Sequence, residues 1–167
     1  LVEQGCHCFP RLQVLINSAS AYDAGTIANT DRALLQKQFS VNFFAPYLLS
    51  GSFAKQVGCG SIINILDNKI AFQQYQYGAY LMSKKALAEF TKLAAIEFSP
   101  RIRVNGIAPG VVLPGETRTG DYIDWRIQGI PLQRQGRVEN TVDDRRVVVA
   151  ESKKTMIVVL RQSYYKR

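Results

Sequence analysis

Hydrophobic positions along the chain follow two periods in turn. Residues 12–16, Leu-Gln-Val-Leu-Ile, form a short apolar run closed by the turn-forming Asn17-Ser18-Ala19-Ser20, the pattern of a buried strand ending in a loop. Residues 31–57 then show helical spacing, with Asp31 where an N-cap is needed and Gly58 after the end. A second strand is expected over 61–66. Over residues 79–98, Leu87, Phe90, Ala94 and Phe98 recur at three-to-four spacing, the stripe of a helix packed on a sheet, and Pro100 stops it. Residues 103–108 predict a third strand. Strand, helix, strand, helix, strand is the pattern of a parallel α/β sheet, whose crossovers are right-handed.

In such sheets ligands bind beyond the carboxyl ends of the strands. This chain places its unusual polar residues there: Asn17 to Ser20 after the first strand, Asp67 after the second, Pro109-Gly110 after the third. Residues 109–122 hold three glycines and two prolines without periodicity and read as a loop over the site. Tyr80 and Lys84 stand four apart at the start of the second helix, thirteen and seventeen residues after Asp67. Residues four apart share a helix face, so the ammonium of Lys84 is expected to favour the anionic form of Tyr80. A phenol of pKa about 10 needs such help to act near neutral pH, and Asp67 could pass the proton onward. The plainer alternative is a chance Tyr-x-x-x-Lys spacing with Asp67 as a strand-end cap.

Composition narrows the partners. With 167 residues and 47% hydrophobic content the chain can bury one sizeable core. The net charge of +8 is concentrated at one end: from Arg145 onward there are seven basic residues and one acid, leaving 14 basic and 12 acidic side chains before it. That pattern argues for a solvated basic tail rather than a nucleic-acid surface. The longest apolar stretch, Val41 to Leu49, is broken by Asn42 and Pro46 and is too short to span a bilayer. No secretory signal is visible, and Cys6, Cys8 and Cys59 form no disulfide framework, so a cytoplasmic, reducing setting is expected. Cys6-His7-Cys8 lacks the gap and second ligand pair of a zinc site, and no metal is expected.

With these features in place, residues from about Arg11 to Val142 resemble the short-chain dehydrogenase/reductase family. Asn17-Ser18-Ala19-Ser20 resembles its Asn-Asn-Ala-Gly loop, Asn42 its helix asparagine, Tyr80 and Lys84 its Tyr-x-x-x-Lys, and Arg103 to Gly110 its Pro-Gly strand. Two departures, Asp67 in the usual serine position and Ser20-Ala21-Tyr22 after the Asn-Ala pair, resemble pteridine reductases. The resemblance implies a partial Rossmann-like, doubly wound parallel sheet from the fourth strand onward. It implies hydride transfer from NADPH, with NADH as the alternative, to a small-molecule pteridine substrate. Tyr80 would donate the proton, Lys84 would bind the nicotinamide ribose and lower the Tyr80 pKa, and Asn42 would support a relay water. Asp67 would orient substrate or feed the donor, Tyr22 would stack on the substrate, and Ser18, Ala19, Ser20, Pro109, Gly110 and Val112 would line the cofactor. A homo-oligomer is implied for the full-length family.

The family opens with a glycine-rich turn that binds pyrophosphate at a helix N-terminus. Here Gly58-Cys59-Gly60 precedes a strand and cannot serve. The expectation is a partial reductase domain over 1–142, lacking that first half and exposing Val14-Leu15-Ile16 as an apolar edge, followed by a divergent basic tail over 143–167. Met156 to Leu160 is a candidate last strand within that tail. The competing readings are part of a working reductase, a truncated inactive paralogue, a 3-oxoacyl-type carbonyl reductase of the same family, and a nucleic-acid-associated protein.

Overall fold

The structure, a computed structural model, describes residues 2–9, 12–71, 73–110, 121, 124–125, 128 and 157–159. Helix α1 (Val2–Cys8) leads to strand β1 (Val14–Asn17), a 3-10 turn at Ile27–Asn29 and helix α2 (Arg32–Phe39). A π-helical segment, Ser40–Phe44, joins α2 to α3 (Ala45–Gln56). Strand β2 (Gly60–Ile65), a 3-10 turn (Asn68–Ala71), helix α4 (Gly78–Glu97) and strand β3 (Ile102–Ala108) follow, and β4 (Ile157–Val159) comes last. The strands lie in the order β1-β2-β3-β4, all neighbours parallel, as the alternating pattern predicts. Beyond the three expected strands, β4 falls within the candidate run at Met156 to Leu160.

The single helix expected over 31–57 is two helices, and the cause is in the sequence. Asp31 caps α2 by accepting from the Leu34 amide at 2.7 Å, as its position suggested. Pro46 has no N–H to give to the carbonyl four residues back, that of Asn42, so regular α-pairing cannot pass through. The Ala45 amide reaches instead to the Ser40 carbonyl, the i→i−5 bond of a π turn. Helix α1 had no periodic signal because it is only seven residues long.

Strand register sorts the two faces of the sheet. Leu15, Ile62 and Val104 lie across from one another, as do Asn17, Asn64 and Gly106, and this face packs under α3 and α4. Phe53, Leu87, Phe90 and Ala94 close the core over it. A polar chain runs through that core: the Asn17 amide donates to Asn64 Oδ1 at 2.8 Å and to Ser50 Oγ at 3.3 Å. The Asn64 amide donates to Thr91 Oγ1 at 2.9 Å, and Thr91 donates to the Leu87 carbonyl at 2.7 Å. Each member is satisfied, so the chain fixes strand register and helix placement without an unpaired buried group. β1 borders the described sheet with Val14 and Ile16 44% and 42% exposed, the apolar edge expected from the sequence.

Candidate active site

The ends of β1 and β2 and the start of α4 converge on one cluster. Tyr80 and Lys84 lie one turn apart on the inner face of α4, 5% and 2% exposed, because that face carries the stripe that packs on the sheet. Tyr80 Oη donates to Asp67 Oδ2 at 2.7 Å. Asp67 lies two residues past the end of β2, and its other oxygen accepts the Lys69 amide at 2.8 Å, which sets the carboxylate on the turn that opens there. Lys84 Nζ donates to the Ile65 carbonyl at 2.9 Å, at the carboxyl end of β2.

This geometry corrects one expectation. Lys84 is expected to lower the pKa of Tyr80, but its ammonium bonds to Ile65 and the phenol bonds to Asp67. Burial pushes the Tyr80 phenol above its ordinary range, and the charge and hydrogen bond of Asp67 push it further in the same direction. Burial also pulls Lys84 down to about 8, against the smaller opposing pull of the Asp67 charge. The result is a neutral phenol donating to a carboxylate, with a buried amine close to its titration point.

Tyr22 packs on this pair. Its ring meets that of Tyr80 edge-on, with centroids 4.6 Å apart and planes at 87°, and stacks on Tyr77 at 4.4 Å and 10°. Its hydroxyl accepts from Lys69 Nζ at 3.1 Å and from Gln74 Nε2 at 3.5 Å. Burial alone would push the Tyr22 phenol up, but the bonds from Lys69 and Gln74, the Lys69 charge and a bond from Tyr77 together hold it below its ordinary value. Gln76, just before Tyr77, has φ of 66°, the left-handed region that a non-glycine residue rarely adopts, at the entry to α4. The Gly25 amide on the Gln76 carbonyl at 2.7 Å holds that bend.

Residues 1–121 match the family model described as short chain dehydrogenase. The chain belongs to that family.

Its relatives carry several different names. It is 32% identical over 159 residues to pteridine reductase 1 of Leishmania tarentolae, covering 80% of this chain and 55% of that protein. It is also 32% identical over 143 residues to a short-chain type dehydrogenase/reductase of Picea abies, covering 80% and 53%. The chain spans about half the length of the curated relatives it matches. Among solved structures it is similar to FolM alternative dihydrofolate reductase 1 from Brucella canis complexed with NADP. The TM-score is 0.86 at 27% identity, covering 98% of this chain and 67% of that one. The Brucella suis protein, also with NADP, gives a TM-score of 0.88 at 27% identity.

The remaining residues named from the sequence fall in two groups. Ser18, Ala19 and Ser20 are exposed in the loop after β1, and Pro109 and Gly110 are half-buried after β3, where the Pro109 carbonyl accepts the Asn68 amide at 3.3 Å. Val112, most of the loop over 109–122 and most of the tail over 143–167 lie outside the described residues. Asn42, expected to support a relay water, is fully buried with its side chain engaged by protein groups. Its Oδ1 accepts the Ala21 amide at 2.8 Å, and its Nδ2 donates to the Ala21 carbonyl at 2.9 Å, to Ser83 Oγ at 3.0 Å and to Gln38 Oε1 at 3.3 Å. In this structure it clamps the loop that carries Tyr22 onto α4.

Sequence reasoning missed Lys69, Gln74, Tyr77 and Ser83. Lys69 had a local signal, since an Asp at a strand end caps the amide two residues on. Tyr77 and Gln74 had none, because their contacts with Tyr22 span some fifty residues of chain. Among the described residues no group of His, Cys, Asp and Glu could hold a metal ion, and no helix is long and apolar enough to cross a membrane.

Proposed function

We propose that this chain carries the proton-donor half of an NADPH-dependent reductase, with a pteridine of dihydropterin or dihydrofolate type as substrate. The observation that carries the reading is the 2.7 Å bond from Tyr80 to Asp67, where the usual family serine would offer no charge. A neutral phenol held by a carboxylate can give its proton to a reduced C=N bond and draw a replacement through Asp67. Lys84 holds the end of β2 and, titrating near 8, can pass or take a proton within the working range. Asn42 fixes the loop, and Tyr22 presents an aromatic surface beside Tyr80.

The residues fit a nicotinamide cofactor. Ser18, Ala19 and Ser20 are small and exposed at the carboxyl end of β1, with Lys84 bonded to the end of the neighbouring β2 and Pro109 and Gly110 after β3, so backbone and small side chains line the surface. When bound, the reduced nicotinamide supplies the hydride. NADPH is favoured over NADH because the Brucella relatives carry NADP in their structures. The pteridine reductase of Leishmania tarentolae supports the substrate class.

A second reading, a 3-oxoacyl-type carbonyl reductase, draws on the Tyr22 ring, one face of which is covered by Tyr77. Asp67→Ser separates the two. On the pteridine reading it depresses turnover of a dihydropteridine much more than that of an oxoacyl ester; equal loss on both favours the carbonyl reading. A homo-oligomer completes the proposal: Tyr47, Leu48, Leu93 and Ile96 leave apolar surface on α3 and α4 exposed, the kind a second copy would cover. The setting proposed is the cytoplasm.

A further inference from the structure

Lys69 makes two contacts that point to opposite sides of the site. Its backbone amide donates to Asp67 Oδ1, 2.8 Å away, and its ammonium donates to Tyr22 Oη, 3.1 Å away and 47 residues distant in sequence. Asp67 in turn accepts from Tyr80, and Tyr80 meets the Tyr22 ring edge-on. The four residues therefore close a circuit: Tyr22 to Lys69, Lys69 to Asp67, Asp67 to Tyr80, Tyr80 back to Tyr22. We propose that Lys69 is a positioning residue that fixes the pose of Tyr22 against the Tyr80–Asp67 pair, so that the substrate-stacking ring and the proton donor move as one unit. The proposal rests on the pteridine reading of the site.

No other named restraint on Tyr22 brings a charge to its hydroxyl. Asn42 anchors the Ala21 backbone, which fixes where the loop passes but not how the next side chain points. The stack on Tyr77 fixes the ring plane, but stacked rings slide over one another at little cost. Hydrogen bonds at the hydroxyl stop the slide; of its partners Lys69, Gln74 and Tyr77, Lys69 is the one that brings a charge, and its bond is shorter than that of Gln74. Its ammonium also lies 5.0 Å from the Tyr22 centroid and 5.8 Å from that of Tyr77, so it favours electron-rich rings at that place. Lys69 takes part in neither carboxylate ion pair found among the described residues. The charge is directed to Tyr22 instead. The groups that face it are Tyr22 from the loop after β1, Gln74 and Tyr77 from the approach to α4, and Asp67 from the end of β2.

Two measurements on the full chain test the assignment. In a phenolate absorbance titration, the difference between the chain and its Tyr22→Phe variant isolates Tyr22. Lys69→Met is expected to raise that midpoint and Lys69→Arg to keep it low, whereas an unchanged midpoint in Lys69→Met overturns the linkage. In a fluorescence titration with biopterin, Lys69→Met is expected to weaken binding by about tenfold in the Tyr22 chain and to have no further effect in the Tyr22→Phe background. Equal weakening in both backgrounds would show that Lys69 acts on the ligand directly and would overturn the positioning role. If the unaltered chain binds no biopterin, the pteridine reading fails and takes the substrate half of the proposal with it. The phenolate titration still decides whether Lys69 holds Tyr22.

Discussion

Tyr80 and Lys84 share one face of α4 but address different partners, the phenol reaching Asp67 at 2.7 Å and the ammonium reaching the Ile65 carbonyl at 2.9 Å. Both partners belong to the end of β2, so one strand terminus organises the pair. Burial, reinforced by Asp67, holds Tyr80 neutral, and burial likewise lowers Lys84.

Stability follows Lys84 across the alkaline range. Below pH about 8 it is protonated whether the chain is folded or not, and the penalty of burying the charge is present in full. Between about 8 and its ordinary 10.5 the unfolded chain binds more protons than the folded one, so stability rises with pH. Tyr22, held below its ordinary value, adds a rise of the same sign. Tyr80, held above 10.0, opposes it only beyond that value. Urea midpoints for the chain and for Lys84→Met between pH 8 and 10 isolate the lysine: the variant should lose a rise on the order of 2 kcal/mol.

Asn42 tests the clamp on the Tyr22 loop. Asn42→Ala removes the partner of the Ala21 amide and carbonyl and of the buried Gln38 Oε1, and leaves the Ser83 hydroxyl only its bond to the Tyr80 carbonyl; it should cost about 2 to 3 kcal/mol of folding stability. Amide hydrogen exchange should show the loss of protection centred on Ala21. Uniform loss across the sheet would deny the local role.

Gly60, at the start of β2, lies close against the backbone just before β1. A Cβ there would stand 2.7 Å from the Gln13 carbonyl oxygen and 3.2 Å from the Phe53 ring, and the backbone atom cannot step aside cheaply. Gly60→Ala should cost about 1 to 3 kcal/mol, read as a lowered Tm, whereas Gly58→Ala, with no atom within 4 Å of its Cβ, should change little.

Where the chain speaks through periodicity, its fold is legible. The runs at 12–16, 61–66 and 103–108 are β1, β2 and β3 to within a residue or two, and the stripe through Leu87, Phe90 and Ala94 is the buried face of α4. Helix boundaries within 31–57 depended on one proline, whose effect on the Asn42 carbonyl periodicity does not register. The site was legible as a set of residue types and not as a set of bonds. Tyr80 and Lys84 could be placed on one face from their spacing, but whether Lys84 would find the phenol or a strand carbonyl depends on how β2 ends beneath α4. Lys69 and Tyr77 acquire their roles through Tyr22, far away in sequence, and no local pattern announces such a contact.

The most direct test of the Tyr80–Asp67 account is oxidation of NADPH on a dihydropteridine by the natural polypeptide that carries this sequence, compared with its Tyr80→Phe variant. The account predicts turnover that falls by ~100-fold or more in the variant, with the fold kept as judged by circular dichroism. Undiminished turnover in Tyr80→Phe would contradict it.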